Sequence, residues 1–205
     1  MTNTMYIGSG DVYALMSGKD SKSHISLMQR FVSGIKPHYN AESSPIDALR
    51  TGAILENRYL LTLAENYFTQ YVCVCPEMDV FKCSLDFAKI EQGKVVDFDE
   101  LKTLYLSDYL EFVEPIKSDN ESLLEYLRKK HKAYYYQVQE QLYCTGLEEC
   151  NLVFLSVISY EDEENLSRII APNEYCKIRV YRDNEAIQRI KERGSIFQQI
   201  KDFYR

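Results

Sequence analysis

The 205-residue sequence has no run of apolar residues approaching the ~20 that a membrane-spanning helix needs. Its first ten residues contain neither a basic segment nor an apolar core, so we expect no signal peptide. It also lacks internal repeats, Pro/Gly-rich linkers and low-complexity tracts. We therefore expect a cytoplasmic protein without a membrane partner.

The six cysteines form no C-x-x-C pair, and none has a histidine at the spacing of a zinc finger. Most of them lie in apolar segments, which favours buried, reduced thiols in a cytosolic protein. They are Cys73, Cys75, Cys83, Cys144, Cys150 and Cys176.

The net charge of −7, with 45% hydrophobic residues, predicts a globular protein and argues against a general polyanion binder. It does not argue against a nuclease. A metal site needs local carboxylates, and an acidic body can still carry a locally basic channel.

The hydrophobic pattern predicts helices first, then three or four strands, a helix, a pair of strands and a last helix. A short helix is predicted over residues 25–34, and a longer one from Pro45 to about Tyr71. Residues 71–83 predict a strand and a turn at Pro76. A further helix should run from Asn120 to about Thr145.

The second half of the chain carries the strongest strand signal, the nearly continuous apolar run 151–160. Cys176–Asp183 should be its antiparallel partner, and a C-terminal helix interrupted near Gly194 should follow. The order indicates an α/β (α+β) fold with a mixed central sheet flanked by helices. We expect one domain over 1–205, with its core at about 45–160 and a C-terminal strand and helix at 176–205.

Chemistry-bearing residues concentrate in Phe81–Thr103, which predicts two strands joined by a turn at Gln92-Gly93. Glu100 and Lys102 share one face of the second strand, and the hairpin brings Asp86 back towards them. Two carboxylates and an ammonium suit a divalent cation and an attacking water. The pattern is also compatible with a plain solvated hairpin, since these residue types are common on surfaces.

Two segments are candidates for phosphate contact. The glycine-rich turn before Val12 could offer backbone N–H groups to a phosphate, or it could be a plain helix cap. The basic run 128–132 is the densest in an acidic chain and is either a solvated face or a phosphate contact.

Four motifs stand in a fixed order: Gly52-x-x-x-Glu56, then Asp86, then Glu100-Leu101-Lys102, then Tyr134-x-x-Gln137-Val138-Gln139. The last continues to Leu142-x-x-Thr145-Gly146. This order resembles the YqaJ-like viral recombinase family, the lambda-exonuclease branch of the PD-(D/E)xK nucleases, over most of the chain. The resemblance implies a restriction-endonuclease-like core.

The resemblance also implies roles for individual residues. Asp86, Glu100 and the carbonyl of Leu101 would be ligands of Mg²⁺, for which Mn²⁺ could substitute, and Glu56 would support the metal or its waters. Lys102 would orient or deprotonate the attacking water. Gln137 would brace that water or Lys102. Residues expected to contact DNA or phosphate are Ser9, Gly10, Asp11, Tyr134, Gln139, Lys129 and Lys132.

Three departures from the family pattern concern how DNA is held. Ser84-Leu85-Asp86-Phe87 replaces the usual Ser-Pro-Asp-Gly, and no counterpart of an N-terminal 5′-phosphate-reading arginine is evident. The segment after Lys102 is acidic rather than basic.

The resemblance implies a Mg²⁺-dependent phage-type DNA exonuclease, acting 5′→3′ on linear duplex ends for recombination. It further implies a homo-oligomeric ring such as a trimer, and a single-strand annealing protein as partner. An endonuclease of the same fold and a non-catalytic nucleic-acid-binding protein are the alternatives.

Overall fold

A computed structural model describes residues 5–34, 46–63, 66–116, 120–157, 170–171 and 173–205. Its centre is a six-stranded mixed sheet in which β3 and β4 form the predicted hairpin. The strands are β1 (Ile7–Gly8), β2 (Tyr67–Val74), β3 (Phe81–Glu91), β4 (Lys94–Tyr105), β5 (Glu149–Val157) and β6 (Tyr175–Tyr181).

The strand order is β1-β3-β4-β5-β6, and β2 pairs with the other edge of β3. The β4–β5 pair is parallel, whereas β2–β3, β3–β4 and β5–β6 are antiparallel. This mixed sheet, with helices against it, confirms the predicted fold class.

The helices account for most of the rest of the described chain. They are α1 (Val12–Met16), α2 (Lys22–Ser33), α3 (Ile46–Leu60), α4 (Leu106–Ile116), α5 (Asn120–Lys130), α6 (Lys132–Thr145) and α7 (Asn184–Phe203). A single 3-10 turn, Ser9–Asp11, precedes α1. Within the described residues, no helix is both long enough and apolar enough to cross a lipid bilayer.

The hairpin turn forms where glycine chemistry predicted it. Gln92 and Gly93 both have positive φ angles, 51° and 75°, which match the right-handed twist of the flanking strands. Gly146 likewise ends α6 in the left-handed conformation, with φ of 75°.

Two apolar clusters flank the sheet. The larger one joins the sheet to α6 and α7 and includes Phe81, Leu85 and Phe98. The smaller one packs Leu55 and Tyr59 of α3 against the sheet. The two clusters place α3 and α6 on either side of the β3–β4 hairpin.

The predicted interruption of the last helix at Gly194 is wrong, because α7 runs unbroken from Asn184 to Phe203. Glycine is required there for close packing: a Cβ at Gly194 would lie 2.3 Å from Cζ of Phe81. The benzene ring of Phe81 occupies the space that any side chain would fill.

Two predicted helices also differ from the structure. The helix predicted to reach Tyr71 ends at Leu60, because Tyr67–Val74 pairs with β3 and tertiary pairing overrides a short helical period. The helix predicted over 120–145 is divided at His131, whose φ of −128° and ψ of 51° are not helical. The predicted start of the longer helix at Pro45 lies outside the described residues.

Candidate active site

The candidate site lies where β3 and β4 separate. The two strands are paired from the turn as far as Phe87 and Asp99, and Asp86 and Glu100 come directly after that point. Beyond that point the described residues of the two strands share no backbone pairing. Instead, Oδ2 of the Asp86 side chain accepts a hydrogen bond from the backbone N–H of Leu101 at 2.9 Å. The carbonyl of Leu101 faces the same gap, because the N–H and C=O of a strand residue point to one edge.

Glu100 is the centre of a dense hydrogen-bond network and is 1% exposed. Its Oε1 accepts from Nζ of Lys102 at 2.6 Å and from the amide of Gln137 at 2.5 Å. Its Oε2 accepts from the amide of Gln141 at 2.6 Å. A buried carboxylate with three such donors is held in one orientation.

The third acidic residue, Glu56, reaches the site from α3. The amide of Gln70 on β2 joins it to Asp86, at 3.4 Å from Oε2 of Glu56 and 3.3 Å from Oδ1 of Asp86. The side-chain carbonyl oxygen of Gln70 in turn accepts a hydrogen bond from the hydroxyl of Ser84 at 3.0 Å. The structure therefore brings together Glu56, Asp86, Glu100, Lys102 and Gln137, as the motif order predicted.

Sequence reasoning did not identify Gln70 as a site residue. It has a φ of 51°, a backbone conformation that costs a non-glycine residue about 1 kcal/mol or more. Such strain concentrates at functional sites, but only the structure reveals it. Gln141 lies about one turn after Gln137 on α6, and its amide donates to Glu100, which gives it a part in holding that carboxylate.

Burial and a neighbouring charge perturb the acidity of Asp86 and Glu56. Burial, followed by the negative charge of Glu100, raises the pKa of Asp86 to about 7. Burial also raises the pKa of Glu56, although the hydrogen bond from Gln70 partly offsets this, and Glu100 adds to the rise. Both carboxyls are therefore harder to ionise in the folded protein than in water.

Lys102 responds to the same field with the opposite sign. Burial lowers its pKa, but the charge of Glu100, their hydrogen bond and the charge of Asp86 outweigh burial, so that the pKa is raised overall. Lys102 is therefore protonated, and its ammonium pairs with the carboxylate of Glu100.

The donor set fits a hard divalent cation. The candidate ligands are oxygen atoms alone, the carboxylates of Asp86, Glu100 and Glu56 and the Leu101 carbonyl, and Mg²⁺ binds such oxygen ligands in preference to nitrogen or sulfur. A cation beside them would favour the ionised forms of Asp86 and Glu56, which burial disfavours.

A basic groove adjoins the site. Nζ of Lys102 lies 5.5 Å from the centre of the Tyr134 ring, and that ring stacks on His131. Tyr134 also lines a groove of about 540 Å³ together with Lys129 and Lys132. Exposed Tyr13 of α1 also lines it. The predicted DNA contacts Tyr134, Lys129 and Lys132 therefore lie in one groove, and its Tyr134 ring contacts Lys102.

Three predicted phosphate contacts are corrected by the structure. Gln139 is fully buried, and its amide is engaged by the carbonyl of Tyr181 at 2.9 Å and the N–H of Asp183 at 2.7 Å. Ser9 is also buried, and Asp11 pairs with Arg30 at 2.9 Å. Of the predicted turn, Gly10 stays exposed.

Two glutamines of α6, Gln139 and Gln137, should differ in how much they contribute to stability and to cleavage. Gln139→Leu should lower the free energy of unfolding by about 2–3 kcal/mol, because it leaves a buried N–H and C=O unpaired. Cleavage per folded molecule should be unchanged. Gln137→Leu should lower the free energy of unfolding by about 1–2 kcal/mol, because buried Glu100 keeps only two of its three donors, and should reduce cleavage at least about tenfold. Urea unfolding and initial cleavage rates measured on both variants check this; equal effects of the two on cleavage would contradict it.

Searches with the sequence find no matching family model and no matching curated protein. Comparison of the fold finds an alkaline exonuclease, LHK-Exo, from Laribacter hongkongensis, with a TM-score of 0.62 and 17% identity. The alignment covers 98% of this chain and 90% of that one. The same enzyme in complex with dAMP gives a TM-score of 0.60 at 18% identity, with the same coverage.

A phage-related exonuclease from Haemophilus somnus 129PT gives a TM-score of 0.59 at 18% identity, over 100% of this chain and 98% of that chain. The chain has the fold of these exonucleases. The alignments extend over nearly the whole length of both partners, so the likeness is not confined to the hairpin. The resemblance predicted from the order of four short motifs is thus confirmed at the level of fold.

Proposed function

We propose that this chain is a Mg²⁺-dependent DNA exonuclease of the phage type, hydrolysing phosphodiester bonds at the ends of linear duplex DNA. The observation that carries the proposal is the convergence on one gap of Glu56, Asp86, Glu100, Lys102 and Gln137. A basic groove adjoins that gap through Tyr134. Burying these charged groups costs folding free energy, and a protein without catalytic function would have no reason to bear that cost.

Asp86, Glu100 and the Leu101 carbonyl would hold the metal, with Glu56 supporting it, and a cation bound there would supply positive charge against the phosphate oxygens. Mn²⁺ should substitute, since it also favours oxygen ligands. Lys102 would hold the attacking water and, once the charge of a bound cation lowers its pKa, accept the proton of that water, while Gln137 fixes the carboxylate that Lys102 contacts. The side-chain amide of Gln70 donates to both Asp86 and Glu56 and so helps to orient the two carboxylates.

The finer features of the proposal rest on the likeness to exonucleases. They are 5′→3′ polarity, a homo-oligomeric ring such as a trimer around DNA, a single-strand annealing protein as partner, and a role in recombination. We place the activity in the cytoplasm of a bacterial or phage-infected cell.

Digestion of end-labelled linear duplex beside closed circular DNA, with and without Mg²⁺, tests the function directly. We expect degradation of the linear form alone, and only with the metal. Labels at the 5′ and 3′ ends report the polarity. Cutting of closed circles would favour an endonuclease, and binding without cleavage would favour the non-catalytic alternative.

The groove makes a separate prediction. Lys132→Gln should weaken duplex binding at every sequence and lower the slope of log K against log salt by about 0.9, since each phosphate contact releases one counterion equivalent. Lys94→Gln, at the exposed hairpin turn, removes the same charge and is the control. Fluorescence anisotropy at several salt concentrations without divalent cations measures both. Equal slopes for the two variants would place the DNA elsewhere.

A further inference from the structure

A cluster of sulfur and carboxylate ligands lies beneath the active site, between β3 and α6. Sγ of Cys83, Sγ of Cys144 and a carboxylate oxygen of Glu140 lie within 4.8 Å of one another, and all three residues are buried. Cys75, which is 1% exposed, lies next to this cluster, and its thiol interacts with that of Cys144. These residues are not part of the cleavage chemistry described above.

The polar groups of the cluster are only partly satisfied. The thiol of Cys144 donates to Oε1 of Glu140 at 3.1 Å. Oε2 of Glu140 has no hydrogen-bond partner among the described residues, although the side chain is fully buried. A buried carboxyl with an unpaired oxygen costs folding free energy, and a cation between these acceptors would remove the cost.

We propose that Cys83, Glu140 and Cys144, with Cys75 as the fourth ligand, form a structural Zn²⁺ site. Zinc binds thiolate sulfur at about 2.3 Å and carboxylate oxygen at about 2.0–2.2 Å, almost always with four ligands in a tetrahedron. Ligands in such a tetrahedron stand about 3.5–3.8 Å apart. The donor atoms of Cys83, Glu140 and Cys144 already approach that size, since they lie within 4.8 Å of one another, and Cys75 would move in to complete the tetrahedron.

The chemistry separates this site from the catalytic gap. The gap offers oxygen atoms alone and suits Mg²⁺, whereas two or three sulfurs select a softer ion. Burial raises the pKa of Glu140 well above its usual range, so zinc must displace its proton. Cys75 lies just after β2, Cys83 is on β3, and Glu140 and Cys144 are on α6. The ion would therefore tie β3, which carries Asp86, to α6, which carries Gln137.

The test uses the full-length protein, since buried ligands must take up metal as the chain folds. Protein unfolded under reducing conditions is refolded with Zn²⁺ or Co²⁺ alone, and bound metal is counted after exhaustive dialysis. We expect about one equivalent of zinc per chain. The cobalt form should show sulfur-to-metal charge-transfer absorption, which an oxygen-only site cannot give. The zinc form should unfold at a higher temperature than the metal-free protein.

Substitutions locate the ion. Cys83→Ser and the nearly isosteric Glu140→Gln should each lower zinc content at least about tenfold. Cys150→Ser removes an equally buried thiol outside the cluster and should keep its zinc. Asp86→Asn should keep both zinc and the cobalt charge-transfer band, which distinguishes failure of this site from failure of the proposed catalytic one.

Wild-type protein that refolds without retaining zinc, and shows no cobalt–sulfur band, would overturn the proposal whether or not the variants fold. Zinc bound equally by wild type and Cys83→Ser would also overturn it. Formation of a disulfide among these thiols in preference to metal uptake would do the same, since oxidised sulfur is not a zinc ligand.

Discussion

Asp86→Asn should abolish Mg²⁺-dependent cleavage, with a fall in rate of about three orders of magnitude or more. The side chain supplies two things at once: a carboxylate for the metal and the acceptor for the N–H of Leu101. Asparagine keeps an oxygen for that hydrogen bond but loses the charge. The strand therefore stays in place while the metal loses a ligand.

The same substitution should stabilise the metal-free protein at neutral and alkaline pH. The folded state raises the pKa of Asp86 from 3.8 to about 7, so ionised Asp86 is disfavoured by folding. This cost is absent below about pH 4, grows between pH 4 and 7, and is complete above pH 7. The shift sets an upper limit of about 4 kcal/mol, of which we expect about 1–2, because neighbouring carboxyls also adjust.

Urea unfolding of both proteins at pH 5 and pH 8, without metal, measures this effect. The stability gained by Asp86→Asn should be larger at pH 8, and added Mg²⁺ should stabilise the wild type alone. Asp202→Asn, at the exposed end of α7, is the control for a lost carboxylate. Full cleavage activity in Asp86→Asn would overturn the site itself, whereas a stability difference independent of pH would overturn only the electrostatic account.

The second large effect is expected for Lys102→Arg. The guanidinium keeps the positive charge and can still pair with Glu100, but its pKa is too high for it to take a proton from water. Its planar fork also cannot occupy the position of an ammonium held at 2.6 Å from Glu100 and over the Tyr134 ring. We expect kcat to fall by about 10²–10⁴-fold, with little change in DNA binding.

Single-turnover rates on end-labelled duplex, together with anisotropy in the absence of divalent cations, separate chemistry from binding. Lys102→Met provides a second reading, because it removes the charge as well. If arginine supported cleavage as well as lysine, Lys102 would serve only as a counter-charge to Glu100. If both variants lost DNA affinity equally with rate, its role would be in substrate binding.

The sequence was sufficient to predict the hairpin and the residues that meet on it. Gln92-Gly93 fixes the turn, and strand alternation then determines that Glu100 and Lys102 share a face. The end of α6 next to Gly146 was predicted from the sequence in the same way. These features depend on neighbours in the chain, where local chemistry is decisive.

Features that depend on distant contacts could not be predicted. Gln139 lies in the same motif as Gln137, and nothing local says that its amide binds the backbone near β6. Gly194 looked like a helix break because its partner, Phe81, is far away in the chain. Gln70 could not be identified because the apolar spacing of its segment predicted a helix, whereas the segment forms β2.

The parallel pairing of β4 with β5 has a consequence for the order in which the protein folds. The β3–β4 hairpin closes over two residues, whereas Asn151 must find Asp99 across 52 positions of the chain. Closing long loops is slow relative to forming a hairpin, which takes about 1–10 μs. During refolding, the hairpin bearing Asp86 and Glu100 should therefore form first, and Glu100 should stay hydrated until β5 and α6 dock. Recovery of nuclease activity should lag behind the appearance of strand signal in stopped-flow circular dichroism.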